Sequence, residues 1–100
     1  MKYNLLQEMD GTEFGGIGLQ GTFKAPISQI MQAIGSVPML VDSKRIQYRW
    51  LIRFEDGTVA TVYNEKGDTE NNWCIGGFGK SDKQKNNIAV KYVKELLNVA

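Results

Sequence analysis

The sequence predicts an α+β fold, a single small domain over residues 1–100 in which an antiparallel sheet of about four strands carries two helices on one face, ordered β-α-β-β-β-α. Three observations carry this expectation. Residues 45–64, RIQYRWLIRFEDGTVATVYN, alternate apolar and polar side chains on both sides of Asp56-Gly57, the strongest short-range signal for a hairpin. Residues 26–34 place Ile27, Ile30, Met31 and Ile34 on one helical face. Residues 82–98 repeat that spacing in a longer helix that opens after Ser81. Hairpin connections favour antiparallel pairing, and two amphipathic helices can cover only one face of the sheet.

Taken in order, residues 1–10 fit either a helical turn or a short strand, through Tyr3, Leu5, Leu6 and Met9. Ile17, Leu19 and Phe23 then alternate, so 17–23 reads as a strand. Gly16, Gly18 and Gly21 match G-x-G-x-x-G, but the pattern runs into strand-favouring Thr22-Phe23 and no βαβ unit follows. A bulged or closely approached strand accounts for these glycines better than a dinucleotide fingerprint. Pro26 fits the first position of the short helix and Gly35 its stop, while Ala25 offers no capping acceptor. Residues 37–44 form a connection whose apolar centre, Met39-Leu40-Val41, either tucks under the domain or marks a contact surface.

In the hairpin, a two-residue turn pairs Phe54 with Val59, Ile52 with Thr61 and Trp50 with Tyr63. One face then holds Tyr48, Trp50, Ile52, Phe54, Val59 and Tyr63 as core. The other holds Arg45, Arg49, Leu51 and Arg53 opposite Thr58, Ala60, Val62 and Asn64. A polar loop follows at 65–71. Residues 72–75 make a short strand with Trp73 and Ile75 on one face and Cys74 on the other. In the final helix Ser81 is the N-cap and Gln84 completes a capping box, with Ile88, Ala89, Tyr92, Val93, Leu96, Leu97 and Val99 turned inward.

Twelve basic and eleven acidic residues leave a net charge of +1, which argues against a strongly basic nucleic-acid binder and against an acidic DNA mimic. The one cysteine cannot form an internal disulfide, which suits a reducing cytosol. With no apolar run near the roughly 20 residues of a membrane span, and no signal-peptide pattern, a soluble intracellular protein is expected. Histidine is absent. That removes the commonest general base, the commonest metal ligand and the usual partner of a nucleophilic Ser or Cys. The expectation is a binding protein without cofactor or metal.

The candidate ligand-binding residues are Arg49, Arg53, Lys66, Trp73, Gly76, Gly77, Lys80 and Ser81. All three arginines of the chain, Arg45 included, are spaced by four and share one strand face. Guanidinium groups in a row can hold phosphate or carboxylate, and the alternative is a solvated row balanced by Glu55 and Glu65. The GGFGKS turn at 76–81 can offer backbone amides and the Lys80 charge to an anion, or be a plain capped helix start. It departs from a P-loop because Cys74 stands where the first glycine belongs. Trp73 either stacks on a base or belongs to the core, and Cys74 reads as a structural thiol. Met39, Leu40, Val41, Leu51 and Val62 are candidate interface residues, and a homo-oligomer is expected from apolar groups on the arginine face.

Gly18-Leu19-Gln20-Gly21, Gly35-x-x-Pro38, Trp50-x-Ile52-x-Phe54-x-Asp56-Gly57-Thr58-Val59-Ala60-Thr61-Val62-Tyr63 and Trp73-x-Ile75-Gly76-Gly77 together form a pattern over roughly residues 17–90. In it the chain resembles a group of small, mostly uncharacterised bacteriophage-encoded proteins. It departs where that group often has Trp-His-Ile-Gly-Gly, with Cys74 in place of the histidine. The resemblance implies a phage origin, hence the host bacterial cytoplasm, and an anti-defence role by analogy. Two functions are expected from this and the residues: sequestration of a phosphorylated or nucleotide-like small molecule such as a host immune signal, or protein–protein inhibition of a defence complex such as a CRISPR effector or restriction enzyme.

Overall fold

A computed structural model describes residues 2–6, 18–40, 46–78 and 83–99. It is α+β, with an antiparallel sheet and two helices, and the sheet has six strands where about four were expected. The elements are β1 (Tyr3–Leu6), β2 (Gly18–Lys24), α1 (Ile27–Ile34), β3 (Met39–Leu40), β4 (Ile46–Phe54), β5 (Val59–Glu65), β6 (Asn72–Phe78) and α2 (Lys83–Leu97). The strand order is β1-β4-β5-β6-β2. The additional strands are β1, paired along Leu51–Phe54, and β3, paired to Tyr48 and Arg49. Both therefore lie end to end on the outer edge of β4. Neither is long enough to announce itself; β4 supplies the backbone partners that make them strands.

The β4–β5 turn revises the expected register. Phe54 N–H donates to Thr58 O at 2.8 Å and Gly57 N–H to Phe54 O at 2.9 Å, so the loop is the three residues Glu55-Asp56-Gly57. Gly57 sits at φ +90°, the left-handed position of a turn that closes on a bulge. Asp56 Oδ1 accepts the Thr58 N–H at 2.9 Å and braces the loop. The partners become Trp50–Val62, Ile52–Ala60 and Leu51–Thr61. A one-residue slip exchanges the faces of a strand. Ala60 and Val62 thus join Trp50, Ile52 and Phe54 beneath the helices, while Val59, Thr61 and Tyr63 move to the arginine face.

The main core lies on that helix-covered face. Ile30 and Ile34 of α1, and Ala89, Val93 and Leu97 of α2, pack with Trp50, Ile52, Val62, Trp73 and Ile75. The α1 stripe falls at the expected spacing. In α2 the buried line is Ala89, Val93 and Leu97, while Tyr92, Leu96 and Val99 are half-buried at its flank and Ile88 stands outside the core cluster. Helix α1 starts one residue later than expected, with Pro26 as an extended N-cap residue that makes no side-chain cap bond. Gly35 ends it at φ +82°, its N–H on Met31 O at 2.8 Å. Helix α2 ends at Leu97; Asn98 just beyond it takes φ +55° as Val99 N–H reaches back to Lys94 O at 3.0 Å. The expected N-cap at Ser81 lies outside the described residues.

Strand β2 carries the irregularity its glycines suggested. Its register against β6 shifts between Leu19 and Gly21. A Cβ on Gly21 would stand 3.1 Å from Val90 Cγ1, so the missing side chain lets α2 settle close to the sheet. A second bulge, between Ile46 and Arg49, leaves Tyr48 N–H to the side chain of buried Asn64, whose Oδ1 accepts it at 2.9 Å.

Candidate functional site

The sheet face away from the main core collects the polar groups of interest. Strand pairing builds it as cross-strand rows. One row runs Met39, Arg49, Tyr63, Cys74 and Thr22; the next runs Leu6, Leu51, Thr61 and Gly76. Arg53 faces Asn4 and Val59 one row further on. Thr61 lies opposite Leu51, so Arg49 and Arg53 are its two diagonal neighbours, about 7–8 Å away in an antiparallel ladder.

This face is not an open plain. Leu51 is 1% exposed and Val59 5%, with half-buried Leu6 and Met39 packed against them as a small second cluster. In that setting, among the described residues, Arg49 Nε and Thr61 Oγ1 are buried without a hydrogen-bond partner. Burial also pushes the Arg49 guanidinium below its ordinary value. Leaving a buried donor unsatisfied costs about 1–3 kcal/mol, more for a charged group. Such a pair is a place where a ligand oxygen gains from what the protein has not satisfied. Cys74, half-buried two strands from Arg49, has its thiol pushed up by burial first and then by Glu65 and Asp68, against a lowering contact from Tyr63. A thiol held protonated is a poor nucleophile.

Several expected site residues are placed elsewhere. Trp73 is 3% exposed, packs at a tilt with its ring centroid 5.4 Å from that of Trp50 and donates its indole N–H to Ala25 O at 2.9 Å, so its ring serves the core. Gly76 and Gly77 belong to β6, buried and paired on both sides with β5 and β2. Their backbone groups sit in the sheet, because β6 runs on to Phe78, beyond the residue 75 at which the strand was expected to stop. Lys66 is exposed in the turn after β5. Lys80, Ser81, Arg45 and Val41 lie outside the described residues.

Of the expected interface residues, Leu51 is buried in the second cluster and Val62, 0% exposed, lies in the main core through the register change. Met39 is half-buried against Leu51, whereas Leu40 is 79% exposed, near Val37 at 71%. Sequence reasoning missed Thr61, because the two-residue turn pairs it with Ile52 on the core face. Glu55-Asp56-Gly57 with glycine third also fits a three-residue loop, and that alternative would have revealed it.

No group of three or more potential metal ligands occurs among the described residues. None of their helices is long and apolar enough to cross a membrane. Comparison with protein-family models, curated protein sequences and solved structures finds no match to this chain.

Proposed function

We propose that this is a non-enzymatic binding protein that sequesters a phosphorylated or nucleotide-like small molecule on the arginine face of its sheet. The observation that supports the reading is the pairing of two unsatisfied buried groups, Arg49 Nε and Thr61 Oγ1, on one face. An oxyanion can accept from a guanidinium N–H and a hydroxyl together, and bonds to a charged donor are the stronger kind. Arg53, diagonal to Thr61 on its other side, brings a second positive charge to the same face. The lack of any histidine in the chain favours binding over catalysis. A phage origin, action in the host bacterial cytoplasm on an immune signal, and self-association are part of the same reading, and rest on the sequence pattern.

Isothermal titration with cyclic and linear nucleotides and with inorganic phosphate tests it. Binding of at least one, weakened about tenfold or more in Arg49→Ala, is expected from the worth of a charged hydrogen bond. No heat with any of them, or an unchanged affinity in that variant, overturns the reading.

A second reading, inhibition of a defence protein by surface contact, is favoured by one observation. Leu40 and Val37 are large apolar residues left exposed at the β3 edge. Native mass spectrometry of protein purified from host cells separates the two. A retained small molecule supports sequestration, and a stoichiometric polypeptide supports inhibition.

A further inference from the structure

We propose that a second site, on the opposite side of the sheet from the arginines, takes a protonated alkyl amine. A hollow of about 130 Å³ opens between the end of β4 and α2, lined by Phe54, Tyr92, Glu95 and Leu96. Phe54 points to the helix-covered face and Arg53 to the other, so this hollow shares no wall with the anion site. Its two rings meet edge to face, centroids 5.1 Å apart at 61°. Tyr92 is anchored by a 2.7 Å hydrogen bond from its hydroxyl to Asp56 Oδ2. Glu95, one helical turn beyond Tyr92, brings a carboxylate to the wall, and its side chain is exposed. That bond to Asp56, then burial and the charges of Asp56, Glu95 and Glu55, push the Tyr92 hydroxyl up.

The chemistry selects the guest. An aliphatic and aromatic wall favours an apolar stem. Glu95 offers the ammonium a counter-charge. An anion meets the Glu95 carboxylate in the wall, and a neutral alcohol forgoes the attraction to that charge. The shared guest chemistry is an alkyl chain ending in an ammonium, supplied either by a free amine or by a lysyl side chain.

The test is an NMR titration of the full chain, following backbone amides, with n-butylammonium chloride at fixed ionic strength and n-butanol as the neutral control. Saturable shifts centred on Phe54, Tyr92, Glu95 and Leu96 are expected. They should weaken about two- to fivefold in Glu95→Gln, the scale of one exposed charge interaction. Because Glu95 is exposed, that variant keeps the fold. Nα-acetyl-lysine methylamide as a third probe identifies the source: tighter binding than the free amine assigns a lysyl side chain, and weaker binding a small amine. Absence of saturable shifts, an equal response to n-butanol, or an unchanged affinity in Glu95→Gln overturns the proposal.

Discussion

Trp50 and Trp73 pack as a tilted pair, centroids 5.4 Å apart at 51°, and their indole N–H groups run to opposite ends of helix α1. Trp73 donates to Ala25 O, just before the helix, at 2.9 Å, and Trp50 donates to Ser36 O, just after it, at 3.1 Å. Tyr3 adds a bond from its hydroxyl to Ile34 O at 2.8 Å. A short helix with no side-chain cap is held in place by aromatic donors from three strands. Trp73→Phe leaves the buried Ala25 carbonyl without that donor and opens space in the core. It should destabilise the fold by about 2–3 kcal/mol in urea unfolding. Trp50→Phe should cost less, because Ser36 is half-buried and water can reach its carbonyl.

Thr61 should show stability and binding pulling apart. Its hydroxyl is buried without a partner, so Thr61→Val keeps the shape and removes the unsatisfied group. The variant is expected to gain about 1 kcal/mol in unfolding free energy while losing affinity for the ligand found by titration. A destabilised variant would mean that the hydroxyl is satisfied in solution.

The close approach of α2 to β2 gives a packing test. In Gly21→Ala the new methyl meets Val90 Cγ1 at 3.1 Å and Cγ2 at 3.3 Å. A loss of about 1–3 kcal/mol is expected for this overpacking, and much of it should return in the Gly21→Ala/Val90→Ala double variant. A thermodynamic cycle over the four proteins measures the coupling directly.

Asp56 predicts the acid limb of stability. Bonds from Thr58 N–H and from the Tyr92 hydroxyl hold its carboxyl below its ordinary value of 3.8. Near pH 3.8 the unfolded chain therefore binds more protons at this group than the folded one. Its contribution is present above that pH and is lost as pH falls through the lower folded value. Glu55 and Glu95 act on the same Tyr92 hydroxyl, so the comparison must isolate Asp56. Urea unfolding of wild type and Asp56→Asn from pH 6 to pH 2 should show the wild-type advantage shrinking toward the acid end.

What the residues determined alone is local. The stripe of α1, the stop at Gly35, the irregular β2 and the alternation of Trp73 and Ile75 against Cys74 follow from spacing along one segment and are observed. The stripe of α2, by contrast, is centred on Ala89, Val93 and Leu97, with Tyr92, Leu96 and Val99 only partly buried beside it. The tertiary structure decided what depends on partners distant in sequence. Glu55-Asp56-Gly57-Thr58 admits both a two- and a three-residue turn, and that choice sent Val62 to the core and Thr61 to the arginine face. Tyr3–Leu6 and Met39–Leu40 became strands because the edge of β4 was there to pair with them. Trp73 left the candidate site because α1 presented a carbonyl and Trp50 a ring within reach. Burial and register are properties of neighbours, and it is neighbours that leave Arg49 and Thr61 unsatisfied on one face.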